Sequence, residues 1–338
     1  MRLKNLYNDL VNFSKQVKID KIDYKLKNTF NINIIETHFI PDKIRNYINE
    51  KIKYNYIISY DYKNINIKLE YYSVKKINTN IFKKILYRII FMMYITNTFI
   101  NVNMIIYETP FKKYMNCHNN KVCNNLNTNN VNSGLSYYNN IIIFRKEELL
   151  KLVLHEMIHI LDVDIKNENI KDKEKITDLY CVNNTNLLIN ESYVETWATI
   201  INVFLILYEK KTIKYDLFHK YLKDELTFGL YQSSKLCKYY NINKFESLHK
   251  INNKCDKYLS DDVNVFSYHI LKTINLNNIQ NFIRIFRDKE YIITKTYNYK
   301  KYIMFIIKKF DSIKKNVNFI INTMKNNNFD LSLKMTVN

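Results

Sequence analysis

The stretch IIIFRKEELLKLVLHEMIHIL, Ile141 to Leu161, decides how this chain is read. It opens as an apolar strand, and beyond Arg145 the apolar residues recur at helical spacing. Inside that helix stands His155-Glu156-Met157-Ile158-His159. Positions i and i+4 share one helix face, so both imidazoles can reach a single point from one side. Glu156 then points beside that point, where a base taking a proton from an attacking water must stand. Leu152, Val153, Leu154, Ile158, Ile160 and Leu161 predict a buried helix. Two imidazoles and a carboxylate are costly to bury without partners, and a metal ion would supply one. Glu147 and Glu148 fall in the predicted first turn, where negative charge suits the helix dipole.

Downstream, Asn190-Glu191-Ser192-Tyr193-Val194-Glu195 lies on a second predicted helix, from about Leu187 to Tyr208. Glu191 can be a third protein ligand, leaving a fourth position open. Glu195 is one turn later on the same face and can accept a hydrogen bond from the far nitrogen of a ligand histidine. Val194, Trp197, Ala198, Ile200 and Ile201 make this helix apolar, which argues against a solvated pair of acids.

Together the two segments resemble the gluzincin zinc metallopeptidases, the thermolysin-like group, whose pattern is H-E-x-x-H followed by N-E-x-x-x-D. The likeness covers Val131 to Trp197. It implies zinc held by His155, His159 and Glu191, with Glu156 as general base. Glu195 stands where the family has Asp and would orient His155, while Asn190 would do the same for His159. The family also places a substrate-pairing edge strand just before the active-site helix. Asn139 to Phe144 takes that place in order, with Asn140 and Ile142 as substrate-binding residues. Gly134, one of only two glycines, precedes it and marks either a close backbone approach at the substrate side or an ordinary turn. For the donor to a developing oxyanion, Tyr268 and His269 are the candidates, with His249 and other tyrosines open. Asp162 and Asp164 read as the end of the active-site helix. The phrase VNSG…IIIFRKEELLKLVLHEMIH also resembles metallopeptidase-like proteins of large DNA viruses.

Working outward, YNYIISYDY (54–62) and NINIKLEYY (64–72) alternate and read as a strand pair with Asn64 near the turn. Ile81 to Thr96 reads as an apolar helix, and NVNMIIYE from Asn101 as a strand ended by Pro110. Residues 111–136 read as one long loop. Tyr137 to Phe144 is the next strand, and the chain after residue 166 reads as helices, with Asp261 or Asp262 capping the one that carries Tyr268. The expected fold class is α+β and zincin-like: a segment 1–50, an α/β part 51–165 ending in the active-site helix, and a helical part 166–338.

Composition sets the outer bounds. Of 338 residues, 47% are hydrophobic, enough for a sizeable core. Asn, Ile, Lys and Tyr dominate, as an A/T-rich genome such as that of a large DNA virus would produce. The same drift accounts for a net charge of +20. Its lysines are scattered and form no long basic run, so nucleic acid is not the expected partner. A peptide or protein substrate is. The most apolar window, Ile89 to Ile100, is roughly half the length needed to span a bilayer. No signal peptide is read at the start, and the five cysteines (117, 123, 181, 237 and 255) are sparse. Both point to an intracellular, reducing setting. Cys117, His118 and Cys123 read as surface residues rather than a second metal site. The alternatives to an enzyme are a catalytically silent binding protein on the same scaffold, or a basic nucleic-acid-binding protein.

Overall fold

The computed structural model describes the chain except residues 29, 33, 35, 36, 116, 119, 120, 123, 124, 166–169, 185, 296, 297, 325–329 and 338. Cys123 and the side chains of Cys117 and His118 lie outside the described residues.

The fold mixes a six-stranded sheet with helices, as the α+β expectation required. Its strands are β1 (Lys25–Lys27), β2 (Tyr54–Tyr62), β3 (Ile65–Ser73), β4 (Val102–Tyr107), β5 (Gly134–Tyr137) and β6 (Asn140–Ile143). They lie in the order β1-β2-β3-β4-β6-β5. The β2–β3 hairpin forms where alternation predicted it, with Lys63 taking the left-handed turn conformation at φ 54°. β3, β4 and β6 run parallel. Helix α2 (Asn80–Thr96) makes the crossover between β3 and β4, and Ile85, Leu86, Ile89 and Ile90 are fully buried there. Helix α1 (Arg2–Ser14) is part of the same core through Leu3, Leu6 and Leu10.

The long loop expected over residues 111–136 is corrected. Asn127 caps a short helix, Thr128–Val131, and the chain then enters β5, which pairs antiparallel with β6. Arg145 makes this possible. Its buried guanidinium donates to the carbonyls of Asn132 (2.7 Å), Lys112 (2.7 Å) and Asn129 (2.6 Å), so the polar backbone needs no regular ladder. β5 is therefore the edge strand at the end of the sheet opposite β1, and β6 is an interior strand.

Helix α3 (Leu149–Ile160) carries the H-E-x-x-H residues, and α4 (Asn190–Glu209) packs across it. Neither Glu147 nor Glu148 lies in the first turn. Glu148 is the N-cap, left-handed at φ 60°, and its carboxylate is buried against the Lys113 ammonium. Glu147 accepts the Lys113 N–H at 2.7 Å. Two tertiary demands from one lysine residue outweigh the dipole preference of the helix.

Helix α5 (Tyr215–Tyr239) follows, and the residues around Tyr268 form a π-helical turn, Phe266–Leu271, that continues as α-helix over Lys272–Asn277. No acid caps it directly. Asp261 instead accepts the Val263 N–H (3.0 Å) and Asn184 Nδ2 (2.9 Å) with one oxygen, while Oδ2 is buried without a partner. Burial outweighs both bonds and pushes this carboxyl up to about 8. An unfolded Asp ionises near about 3.9, so between these values the fold keeps a proton that the unfolded chain gives up. This contribution to stability is full below about pH 4, falls as pH rises, and is lost above about pH 8. Urea unfolding is expected to show a decline of a few kcal/mol between about pH 4 and pH 9, and Asp261→Asn to flatten it. An equal slope in the variant would assign the decline to other groups.

Residues 331–337 thread back into the core. Leu333 and Thr336 are buried; the N–H groups of Met335 and Thr336 donate to Glu148 Oε1 at 2.8 and 2.6 Å. The Thr336 hydroxyl donates to Glu225, and Lys272 Nζ to the Met335 carbonyl. Cys181 and Cys255 form a disulfide, Cα atoms 5.7 Å apart, across a separation of 74 residues. That corrects the expectation of reduced cysteines; no local spacing marks two cysteines so distant as a pair. Cys237 is a buried free thiol. No helix among the described residues is long and apolar enough to cross a membrane.

Candidate metal centre

One turn of α3 and the first turn of α4 build the site. His155 and His159 project from the same face of α3, and their Nε2 atoms come within 3.2 Å of each other. Glu191, at the start of α4, closes the group: Oε2 is 3.3 Å from His155 Nε2 and Oε1 is 3.6 Å from His159 Nε2. This buried group can hold a metal ion. Tetrahedral coordination with bonds of about 2.0–2.1 Å puts neighbouring ligand atoms about 3.3 Å apart, the spacing seen here.

Charged groups surround the two imidazoles: Glu191, Glu195 and Asp164 face them, and Lys151 and Lys272 face Glu195 from behind. Burial alone would discharge the histidines. The carboxylates outweigh it and hold the His155 imidazolium above its ordinary range and that of His159 well above. Burial likewise opposes charge on Glu191, yet His159 and His155 hold its carboxyl far below the usual carboxylate range.

The far nitrogen of each histidine faces a carboxylate. His155 Nδ1 lies 2.9 Å from Glu195 Oε1, the placement that the resemblance implied for Glu195. Glu195 Oε2 accepts from the buried ammonium of Lys151 and lies 4.0 Å from Lys272 Nζ. With one oxygen on each, the carboxylate serves both the imidazole and this lysine. His159 Nδ1 is met by Asp164 Oδ2 at 3.0 Å, where the resemblance put Asn190. Asn190 begins α4 beside Glu191. Asp162 does end α3, with φ 57°, and that left-handed step swings Asp164 back beneath His159. Asp164→Asn is expected to weaken metal affinity by about 10–100-fold with the ligands intact, measured by competition with a chelating dye.

Glu156 is buried and lies under the edge strand. A Cβ added to Gly134 would stand 3.0 Å from Glu156 Oε1 and 3.1 Å from the Ile142 carbonyl. Gly134 thus serves close approach and not a turn: its φ is not positive. Gly134→Ala must displace either the strand or the carboxylate, so a loss of about 1–3 kcal/mol in stability is expected by urea unfolding. Unchanged stability would mean that the Glu156 carboxylate swings aside freely.

Asn140 and Ile142 are not at the site. Ile142 is buried in a second apolar cluster with Tyr72, Tyr107 and Phe144, apart from the core that holds α3. The Asn140 side chain is engaged along the sheet with Asn103 and the Tyr137 carbonyl. The strand beside Glu156 with a free outer edge is β5 instead, which pairs on that side with no other strand among the described residues.

Tyr268 is at the site and His269 is not. The Tyr268 ring centroid lies 6.3 Å from that of His155. Burial first, then Glu191, Glu195 and Glu156, raise its phenol well above the ordinary range, so it keeps its proton. Burial and then Lys272, Lys235 and Lys113 push the His269 imidazole down to about 3, and it is not among the side chains that converge on the metal position. His249 is remote, paired with Asp311 at 2.9 Å and stacked edge-on against Tyr180.

The chain is similar to an uncharacterized protein of Acanthamoeba polyphaga mimivirus, 27% identical over 153 residues, or 42% of this chain and 38% of that one. The chain thus covers about two fifths of the length of this viral relative. No family model matches the sequence. No solved structure matches it either.

Proposed function

We propose that this protein is a zinc-dependent metallopeptidase of the gluzincin kind, on a zincin-like scaffold of mixed sheet, metal helix and helical half. The observation that carries the reading is the joint placement of His155, His159 and Glu191 at tetrahedral spacing with Glu156 beside them under an open sheet edge. Two imidazoles and a carboxylate suit zinc. Zinc held there would supply Lewis acidity toward a carbonyl and toward water.

The chain's own residues supply the rest. A peptide laid along β5 by backbone hydrogen bonds would bring its scissile carbonyl over Glu156. Glu156 takes the proton from the attacking water and passes it to the departing amine. Tyr268, whose phenol stays protonated, donates to the oxygen that gains charge. Glu195 and Asp164 fix the ring orientation of the two histidines.

The test is digestion of an unfolded protein and a mixed peptide pool by zinc-loaded protein, read by mass spectrometry. Cleavage that stops with chelator and returns with zinc is expected. A protein that binds zinc stoichiometrically and cuts nothing in the pool would overturn the peptidase reading.

A further inference from the structure

Exposure rises along β5. Gly134, Leu135 and Ser136 are half-buried, whereas Tyr137 and Tyr138 at its far end are 38% and 90% exposed. Tyr138 opens the turn into β6, between the paired residues Tyr137 and Asn140. It stands there in the left-handed conformation, at φ 50°. A bulky side chain is strained in that conformation, which Asn tolerates far better. Asn97, Asn241, Asn252 and Asn253 adopt it in this chain, and Tyr138 is the one aromatic residue to do so among the described residues. Burial does not offset the strain, because the ring stands in solvent.

The alternation of the strand aims the pair. Gly134 faces α3, where an added Cβ would meet Glu156 and Leu152, so Leu135 and Tyr137 face the other way. Leu135 does pack there, against the second apolar cluster. A peptide added along the outer edge of β5 sets alternate side chains on that face, and the one opposite Tyr137 forms a cross-strand pair with it. The Tyr138 ring lies edge-on to that of Tyr137, centroids 6.5 Å apart and planes at 79°, so the two make an open corner. Aromatic and large aliphatic side chains pair favourably with such rings. Residues 134–140 carry no charge, so nothing in the strand selects a charged partner. From Gly134, beside Glu156, to Tyr137 the strand advances about 10 Å.

We propose that Tyr137 and Tyr138 form a specificity subsite that selects peptides with an aromatic or large aliphatic side chain about three residues from the bond cut. This subsite rests on the peptidase reading, which supplies the peptide along β5.

The test uses blocked Ala/Ser peptides that carry a single Phe at varied positions, beside the parent without Phe. For the zinc-loaded chain, kcat/KM is expected to be about three- to tenfold higher when Phe stands near the third residue from the cut, on one side only and mainly through KM. Tyr138→Asn is expected to remove that advantage and to resist urea at least as well as the wild type, since Asn suits the turn. Binding of the same peptides, dye-labelled, to zinc-loaded Glu156→Gln is read by fluorescence anisotropy and should show the same preference without cleavage. A chain that cuts none of the peptides, yet binds the Phe peptide tighter through Tyr138, would overturn the peptidase reading and uphold the aromatic subsite. Equal binding with and without Phe, a Phe advantage untouched in Tyr138→Asn, or a Tyr138→Asn chain less stable than the wild type would each overturn the proposal.

Discussion

Glu156→Gln is expected to bind zinc at the wild-type stoichiometry and to lose peptide hydrolysis by about two to four orders of magnitude. The substitution keeps the shape of a buried side chain packed under Gly134 and removes its capacity to accept a proton. Glu156 is not among the three atoms that converge on the metal position, so affinity should change little. The measurement is initial rate against bound zinc in the same preparation. Hydrolysis that persists with zinc bound would move the proton-transfer role to another group and leave Glu156 a packing residue.

The second large effect is on the metal itself. Zinc at a hundred times its dissociation constant should raise wild-type stability by about 2.7 kcal/mol, and Glu191→Ala or His155→Ala should remove that increment. Each variant deletes one vertex of a group whose remaining pair cannot complete tetrahedral coordination. The reading is urea unfolding with and without zinc. Equal stabilisation of wild type and both variants would place the bound zinc elsewhere on the chain.

How much of this was legible depends on the range over which each signal acts. The H-E-x-x-H helix and the Asn190–Glu191 turn are local patterns, and the three side chains that could hold a metal ion come together from them. The β2–β3 hairpin and α2 were legible for the same reason: apolar alternation and helical period are properties of short windows. Failures came where a distant partner overrides a local preference. β5 hides in an Asn-rich stretch because its ordering comes from Arg145 and its pairing from β6. Asp164 looks like any acid after a helix until Asp162 turns the chain left-handed. Lys151 is buried against Glu195, forty-four positions away, a pairing that no short window of sequence marks. Cys181 and Cys255 carry no mark of their pairing.

The return of residues 331–337 imposes an order on biosynthesis. Every proposed ligand, the base and Tyr268 leave the ribosome before this segment does. Until it arrives, Glu148 lacks the two N–H groups that it binds in the finished protein, and Lys272, beside Glu195, lacks its carbonyl acceptor. A nascent chain stopped before residue 331 would therefore hold all the chemistry without the scaffold that settles it. The candidate metal centre is expected to reach its finished arrangement only after residues 331–337 have emerged and docked.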